Sequence, residues 1–176
     1  MTDLEFSRPL KLDHIDRKGT KKSIEANADE CIALSKRFDL DSIDTLNADF
    51  DIKPSGLTYH VTGTLNAKAN QISVISGDII PTDINADIDT YLTDKTNIVD
   101  FEQQKEDEYE IKDEKDDPES IQNGEIDLGE IAAQFLGLSL DDYPRAEGEE
   151  TGDYIEVKPE DVKPNPFAVL KDLKTK

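Results

Sequence analysis

Apolar and polar residues alternate most strictly between Leu46 and Ala69. Leu46, Ala48, Phe50 and Ile52 fall on one side, with Asn47, Asp49, Asp51 and Lys53 on the other. Beyond Pro54-Ser55-Gly56 the alternation resumes. Leu57, Tyr59, Val61, Gly63, Leu65, Ala67 and Ala69 point one way, and Thr58, His60, Thr62, Thr64, Asn66 and Lys68 the other. Strand side chains repeat every two residues, so this period predicts a half-buried antiparallel hairpin with one wet face. Gln71 to Ile80 reads as a third strand, with Gly77 allowing a bulge or a close approach. Ile84, Ala86, Ile88, Thr90 and Leu92, alternating with Asp83, Asn85, Asp87, Asp89 and Tyr91, make a fourth. Short turns between them predict a four-stranded antiparallel meander, open or closed into a barrel, in an α+β fold.

The period changes to that of a helix between Asn27 and Phe38, where Ala28, Cys31, Ile32, Ser35 and Phe38 share a face. Asn27 suits the N-cap and Glu30 the third helical position of a capping box. Cys31 lies on the apolar stripe, which makes it a small core residue rather than a nucleophile. A second amphipathic helix follows Asp127, with Leu128, Ile131, Ala132, Phe135 and Leu136 as its stripe, Glu130 at capping-box spacing and Gly137 as terminator. These two helices are the expected cover of the sheet. Leu4 to Leu10 reads as a short strand whose Pro9 suits an edge. At the far end Asn165 can cap, Pro166 suits the first helical position, and Phe167, Leu170 and Leu173 recur at helical spacing. This short C-terminal helix either docks on its own domain or serves as a peptide-like motif for a partner's groove.

Composition changes this picture in two places. From Asp100 to Ser120 acidic residues crowd a stretch whose apolar residues are Phe101, Tyr109 and Ile111. Such a segment buries too little to offset roughly 1–2 kcal/mol of backbone entropy per residue, so disorder is expected. Ala146 to Pro164 is acidic and contains Pro and Gly, the composition of a linker. The expected organisation is one α+β domain over 1–145, interrupted by a flexible acidic insertion at about 100–121, then a linker over 146–164 and the amphipathic motif over 165–176. Overall, 41 acidic residues face 20 basic ones, a formal charge of -21. That charge repels phosphate and anionic membrane and favours basic protein partners. Against this background Arg8, Lys11, Arg17, Lys18, Lys21 and Lys22 form the most basic stretch, read either as a solvated loop or as a contact for RNA or an acidic partner.

Catalytic and metal-binding signatures are lacking. A single cysteine, Cys31, excludes an internal disulfide and any multi-cysteine metal site. No phosphate-binding glycine pattern, paired histidines or nucleophile elbow occurs. Asp39, Asp41 and Asp44 depart from calcium-loop spacing and read as a solvated turn. Apolar runs fall short of the roughly 18 residues of a membrane span, and Met1-Thr2-Asp3 does not begin a signal peptide, so the cytoplasm is the expected compartment. A non-enzyme without cofactor or small-molecule substrate is expected.

Several phrases carry a family likeness: Glu5-Phe6-Ser7-Arg8-Pro9-Leu10, Glu30-Cys31-Ile32-Ala33-Leu34, Val61-Thr62-Gly63-Thr64-Leu65-Asn66-Ala67, Gln71, Ile126-Asp127-Leu128-Gly129-Glu130, Tyr143-Pro144-Arg145 and Pro164-Asn165-Pro166-Phe167-Ala168-Val169-Leu170. In this order they resemble the YceD-like family of bacterial large ribosomal RNA subunit accumulation proteins, in a form similar to the alphaproteobacterial one. Many members carry a cysteine where this chain has Ser73, so thiol chemistry at that position is closed to it. The resemblance implies a part in accumulation or processing of large-subunit ribosomal RNA, as an accessory rather than a nuclease. Charge favours action through a basic ribosomal or processing protein, with direct RNA binding through residues 8–22 as the alternative and a hydrolase as a distant third. Tyr143, Pro144, Arg145, Asn165, Pro166, Phe167 and Leu170 are the expected partner contacts.

Overall fold

The alternating residues form three long antiparallel strands, and the helical stripes lie against their apolar face. The structure, a computed structural model, describes residues 4–94, 118–121 and 123–149. In chain order these are β1 (Pro9–Lys11), a 3-10 turn (Leu12–His14), β2 (Thr20–Glu25), α1 (Ala28–Arg37), β3 (Ser42–Ser55), β4 (Thr58–Ile72), β5 (Ile79–Asp94), β6 (Glu119–Ile121), β7 (Glu125–Asp127) and α2 (Leu128–Ser139). The sheet runs β2-β3-β4-β5-β6, and β1 pairs with β7 as a separate ribbon. All pairings are antiparallel except β5 with β6.

The expected strand count is corrected, and the alternative of an open or a closed sheet is resolved. It has five strands rather than four, and it does not close into a barrel among the described residues. The segment read as a third strand is divided: Gln71 and Ile72 end β4, and Ile79 and Ile80 begin β5. Between them the Ser73 hydroxyl accepts the N–H groups of Ile75 and Ser76, and the Ser73 backbone bonds to Gly77 and Asp78. Gly77 has a φ of +80°, where glycine carries no steric cost. With that segment divided, two strands are additional, β6 and β2, and Thr20–Glu25 brings part of the basic stretch into the β2 edge. Lysines at such an edge discourage pairing with another chain.

The core contains most of the residues that the two periods place inward, but Leu57, Ala28 and Ile32 are exposed, and Leu34 and Thr58 are buried. Leu46, Ala48, Phe50 and Ile52 of β3 meet Val61, Leu65, Ala67 and Ala69 of β4 and Ile84, Ile88 and Leu92 of β5. α1 packs on β3 through Cys31 and Leu34, and α2 packs on β5 and β4 through Leu128, Ile131, Ala132 and Leu136. Gly63 sits where the sheet admits no side chain: a Cβ there would lie 2.2 Å from the Asp49 carbonyl oxygen.

Local signals hold both helices in place. The Asn27 side chain accepts the Glu30 N–H, and the Glu30 carboxylate returns to the Asn27 N–H. Asp127 caps α2 by accepting from Gly129 and Glu130, but the Glu130 carboxylate is taken by Arg37. Gly137 does not end α2, which continues to Ser139. It permits close packing instead, because a Cβ there would lie 2.8 Å from the Phe38 ring.

The predicted strand at Leu4–Leu10 is shorter, with pairing confined to Pro9–Lys11 against Glu125–Asp127. Its neighbours are held by other bonds. The Arg8 N–H donates to Asp127, the Leu128 N–H donates to the Arg8 carbonyl, and Ser7 donates to Asp127. Two phrases about 120 residues apart in sequence thus form one joint.

Backbone contacts divide the chain into two units, Met1–Ala146 and Glu147–Lys176. The elements above belong to the first. The expected acidic arm lies outside the described residues up to 117, whereas its last residues, Glu119–Ile121, form β6. The 165–176 motif also lies outside the described residues.

Candidate interaction surface

The wet face of the sheet carries cross-strand rows of small polar residues. Asn47, Asn66 and Asn85 align across β3, β4 and β5, followed by Asp49, Thr64 and Asp87, then Asp51, Thr62 and Asp89. His60 and Tyr91 stack with ring centroids 4.3 Å apart, and His60 Nε2 lies 2.6 Å from the Asp89 carboxylate. Ser23 donates to Asp49, and Lys53 lies 2.7 Å from Asp51. The Lys53 ammonium, aided by Lys21, holds the Asp51 carboxyl below its ordinary pKa. This face is solvated.

A concave surface lies where the β4–β5 turn meets the segment after α2. The groove measures ≈ 420 Å³ and includes Phe38, Leu40, Ile72, Val74, Leu140 and Pro144 among its lining. Two hydrogen bonds of 2.9 Å join its walls: Gln71 Nε2 donates to the Asp141 carbonyl, and the Val74 N–H donates to the Pro144 carbonyl. Three carboxylates, Asp39, Asp141 and Asp142, also border it. Asp39 takes a left-handed φ of 54° at the end of α1, a conformation that aspartate tolerates better than most residues. Exposed large apolar residues concentrate nearby: Ile72, Val74, Ile75 and Ile79 on the turn and its flanks, Leu138 in the last turn of α2 and Tyr143 beyond it. A cluster of exposed apolar side chains marks an interaction surface more often than single ones do.

A second cleft, also ≈ 420 Å³, is lined in part by Ser7, Glu119, Glu125, Asp127, Glu130 and Gln134. Its central carboxylates have structural partners. Asp127 caps α2 and binds the Ser7–Arg8 segment, and Glu130 pairs with Arg37 at 2.9 Å. Among the described residues no His, Cys, Asp and Glu grouping could hold a metal ion. Burial raises the pKa of the Cys31 thiol, with nearby carboxylates adding to the effect.

The sequence-predicted residues separate into three sets. Tyr143, Pro144 and Arg145 stand beside the groove, where Pro144 contributes to a wall and Tyr143 is 69% exposed. Of the basic residues, Arg8 is engaged: its guanidinium makes two bonds to Glu30, at 2.7 and 2.8 Å, and lies 4.7 Å from the Phe6 ring centre. This pairing raises the Arg8 pKa and lowers that of Glu30. Lys11, Arg17, Lys18, Lys21 and Lys22 are exposed, but Lys21 is paired in register with Asp51 on the wet face, while Lys22 is paired with Phe50. Asn165, Pro166, Phe167 and Leu170 lie outside the described residues.

Sequence reasoning missed Ile72, Val74, Asp39, Asp141 and Asp142 as one surface. A signal existed in Ile72-Ser73-Val74-Ile75, where apolar residues occupy both phases of the alternation and cannot all face one core.

A protein-family model described as "Large ribosomal RNA subunit accumulation protein YceD" matches residues 61–174. The match covers Gln71–Val74 and Leu140–Pro144, while Phe38–Leu40 precedes it. No curated protein and no solved structure matches.

Proposed function

Because the chain belongs to the YceD family of large ribosomal RNA subunit accumulation proteins, we propose that it is a non-enzymatic accessory in accumulation and processing of that RNA, acting in the cytoplasm by binding a basic ribosomal or processing protein. The observation that carries this reading is an apolar groove bordered by carboxylates on a chain of formal charge -21. Opposite charge speeds encounter with a basic protein, and apolar contacts slow its release.

Direct RNA binding is the second reading, and the exposed Lys11, Arg17, Lys18 and Lys22 favour it. Phosphate contacts need cations free to displace counterions. Arg8 is committed to Glu30, which removes one cation from the basic stretch as a phosphate track.

Affinity purification of the full chain after nuclease treatment, at low and high salt, separates the two. Recovery of basic ribosomal or processing proteins that survives nuclease and declines with salt is expected. Recovery abolished by nuclease, or no such protein recovered, contradicts the proposal.

A further inference from the structure

The groove beside the β4–β5 turn combines three properties. It is apolar over part of its lining: Ile72 and Val74 remain 43% and 51% exposed on one wall, Phe38, Leu40, Leu140 and Pro144 add to them, and Gln71 and Ser73 lie between. It is formed in advance, since the Gln71–Asp141 and Val74–Pro144 bonds tie its walls without a ligand. A site held in its bound shape loses less conformational entropy on association. It is also negative at its border. Asp39 and Asp142 have no ion-pair partner among the described residues, and Asp141 Oδ1 accepts only the neighbouring Tyr143 N–H.

We infer that this groove takes a basic peptide segment of the partner, with one large apolar side chain in the groove and flanking Lys or Arg side chains on Asp39, Asp141 and Asp142. The volume of ≈ 420 Å³ lies toward the lower end of the range of about 300–1,000 Å³ typical of small-ligand pockets, which leaves room for one large anchoring side chain together with the peptide backbone that carries it. A phosphate chain would meet three carboxylates there, and the adjoining cation, Arg145, does not balance them. This assignment rests on the proposed function in taking the partner to be a basic protein, and adds where and by what chemistry it is held.

The test is a fluorescence-anisotropy titration of the full chain with a library of short peptides, each with a central Leu, Phe, Tyr or Trp between Lys/Arg flanks. A library member bound by the wild-type chain should lose about tenfold in affinity when its apolar centre becomes Ala, and again against Val74→Glu or Asp142→Lys. Asp87→Lys makes the same charge change on the wet sheet face and should alter affinity less than about twofold. Thermal unfolding of each variant verifies that the fold is retained. In amide spectra the bound peptide should shift residues 72–78 and 140–145.

Absence of binding by any member, equal losses for Asp87→Lys and Asp142→Lys, or tighter binding of a single-stranded RNA oligonucleotide at the same amides would overturn the inference. If both groove variants still recover the same basic proteins after nuclease, the groove assignment falls and the proposed function stands. If the wild-type chain recovers none, the proposed function itself fails.

Discussion

Arg8 shows how a basic residue of a candidate RNA contact becomes a structural one. Its guanidinium reaches Glu30 across the junction between the N-terminal segment and α1, and also donates to the Ser7 and Glu25 carbonyls. Arg8 and Glu30 side chains are 35% and 16% exposed, so solvent screening reduces the pair's contribution to about 1 kcal/mol. Glu30 has a lowered folded-state pKa, so the folded chain binds its proton less readily than the unfolded one. The stabilisation is therefore complete above the ordinary glutamate pKa and is lost as pH falls through the lowered value. Arg8→Met should reduce urea-unfolding stability by about 1 kcal/mol at neutral pH, and by less in acid. An equal loss at both pH values would contradict this account. Gly63→Ala should cost more, about 2–3 kcal/mol or the fold itself, because the added methyl meets the Asp49 backbone rather than a movable side chain. A chemical denaturation curve unchanged by that substitution would show that the strands separate freely there.

At the scale of elements, legibility in the sequence followed locality. The β3–β4 hairpin and the helices depend on periods and caps within a few residues, and Asn27 with Glu30 formed the box that their spacing announced. Asn27→Ala should accordingly reduce stability by about 1 kcal/mol, and thermal denaturation that shows no loss would remove the cap from the account. β2 was illegible because Thr20–Glu25 has little apolar alternation and gains its strand character from β3. The segment 71–80 misled because apolar residues persist through its turn, which side-chain bonds to the backbone close. Gly137 misled in another way: its position suited a helix terminator, but Phe38 requires it to be small. The groove was the least legible feature, since it joins α1's end, the β4–β5 turn and the segment after α2. Tyr143-Pro144-Arg145 stands out in the sequence as a phrase, whereas nothing local marks Val74 as its hydrogen-bonded neighbour.

The whole molecule sets a negative field against a local apolar surface, and each has its own role. The charge of -21 hinders approach to RNA phosphate and draws in basic proteins. On the proposed reading the groove gives such a partner a place to stay, and its walls at 71–74 and 140–144, though not at 38–40, lie within the residues matched by the family model. The most direct measurement compares large- with small-subunit ribosomal RNA in cells lacking the chain, after return of the wild type, a Val74→Glu/Asp142→Lys variant or a Lys11→Ala/Arg17→Ala/Lys18→Ala/Lys22→Ala variant. The wild type and the lysine–arginine variant should restore the large-subunit RNA, whereas the groove variant, expressed and folded, should not. Restoration by the groove variant together with failure of the lysine–arginine variant would contradict action through a basic protein and transfer the function to RNA contact.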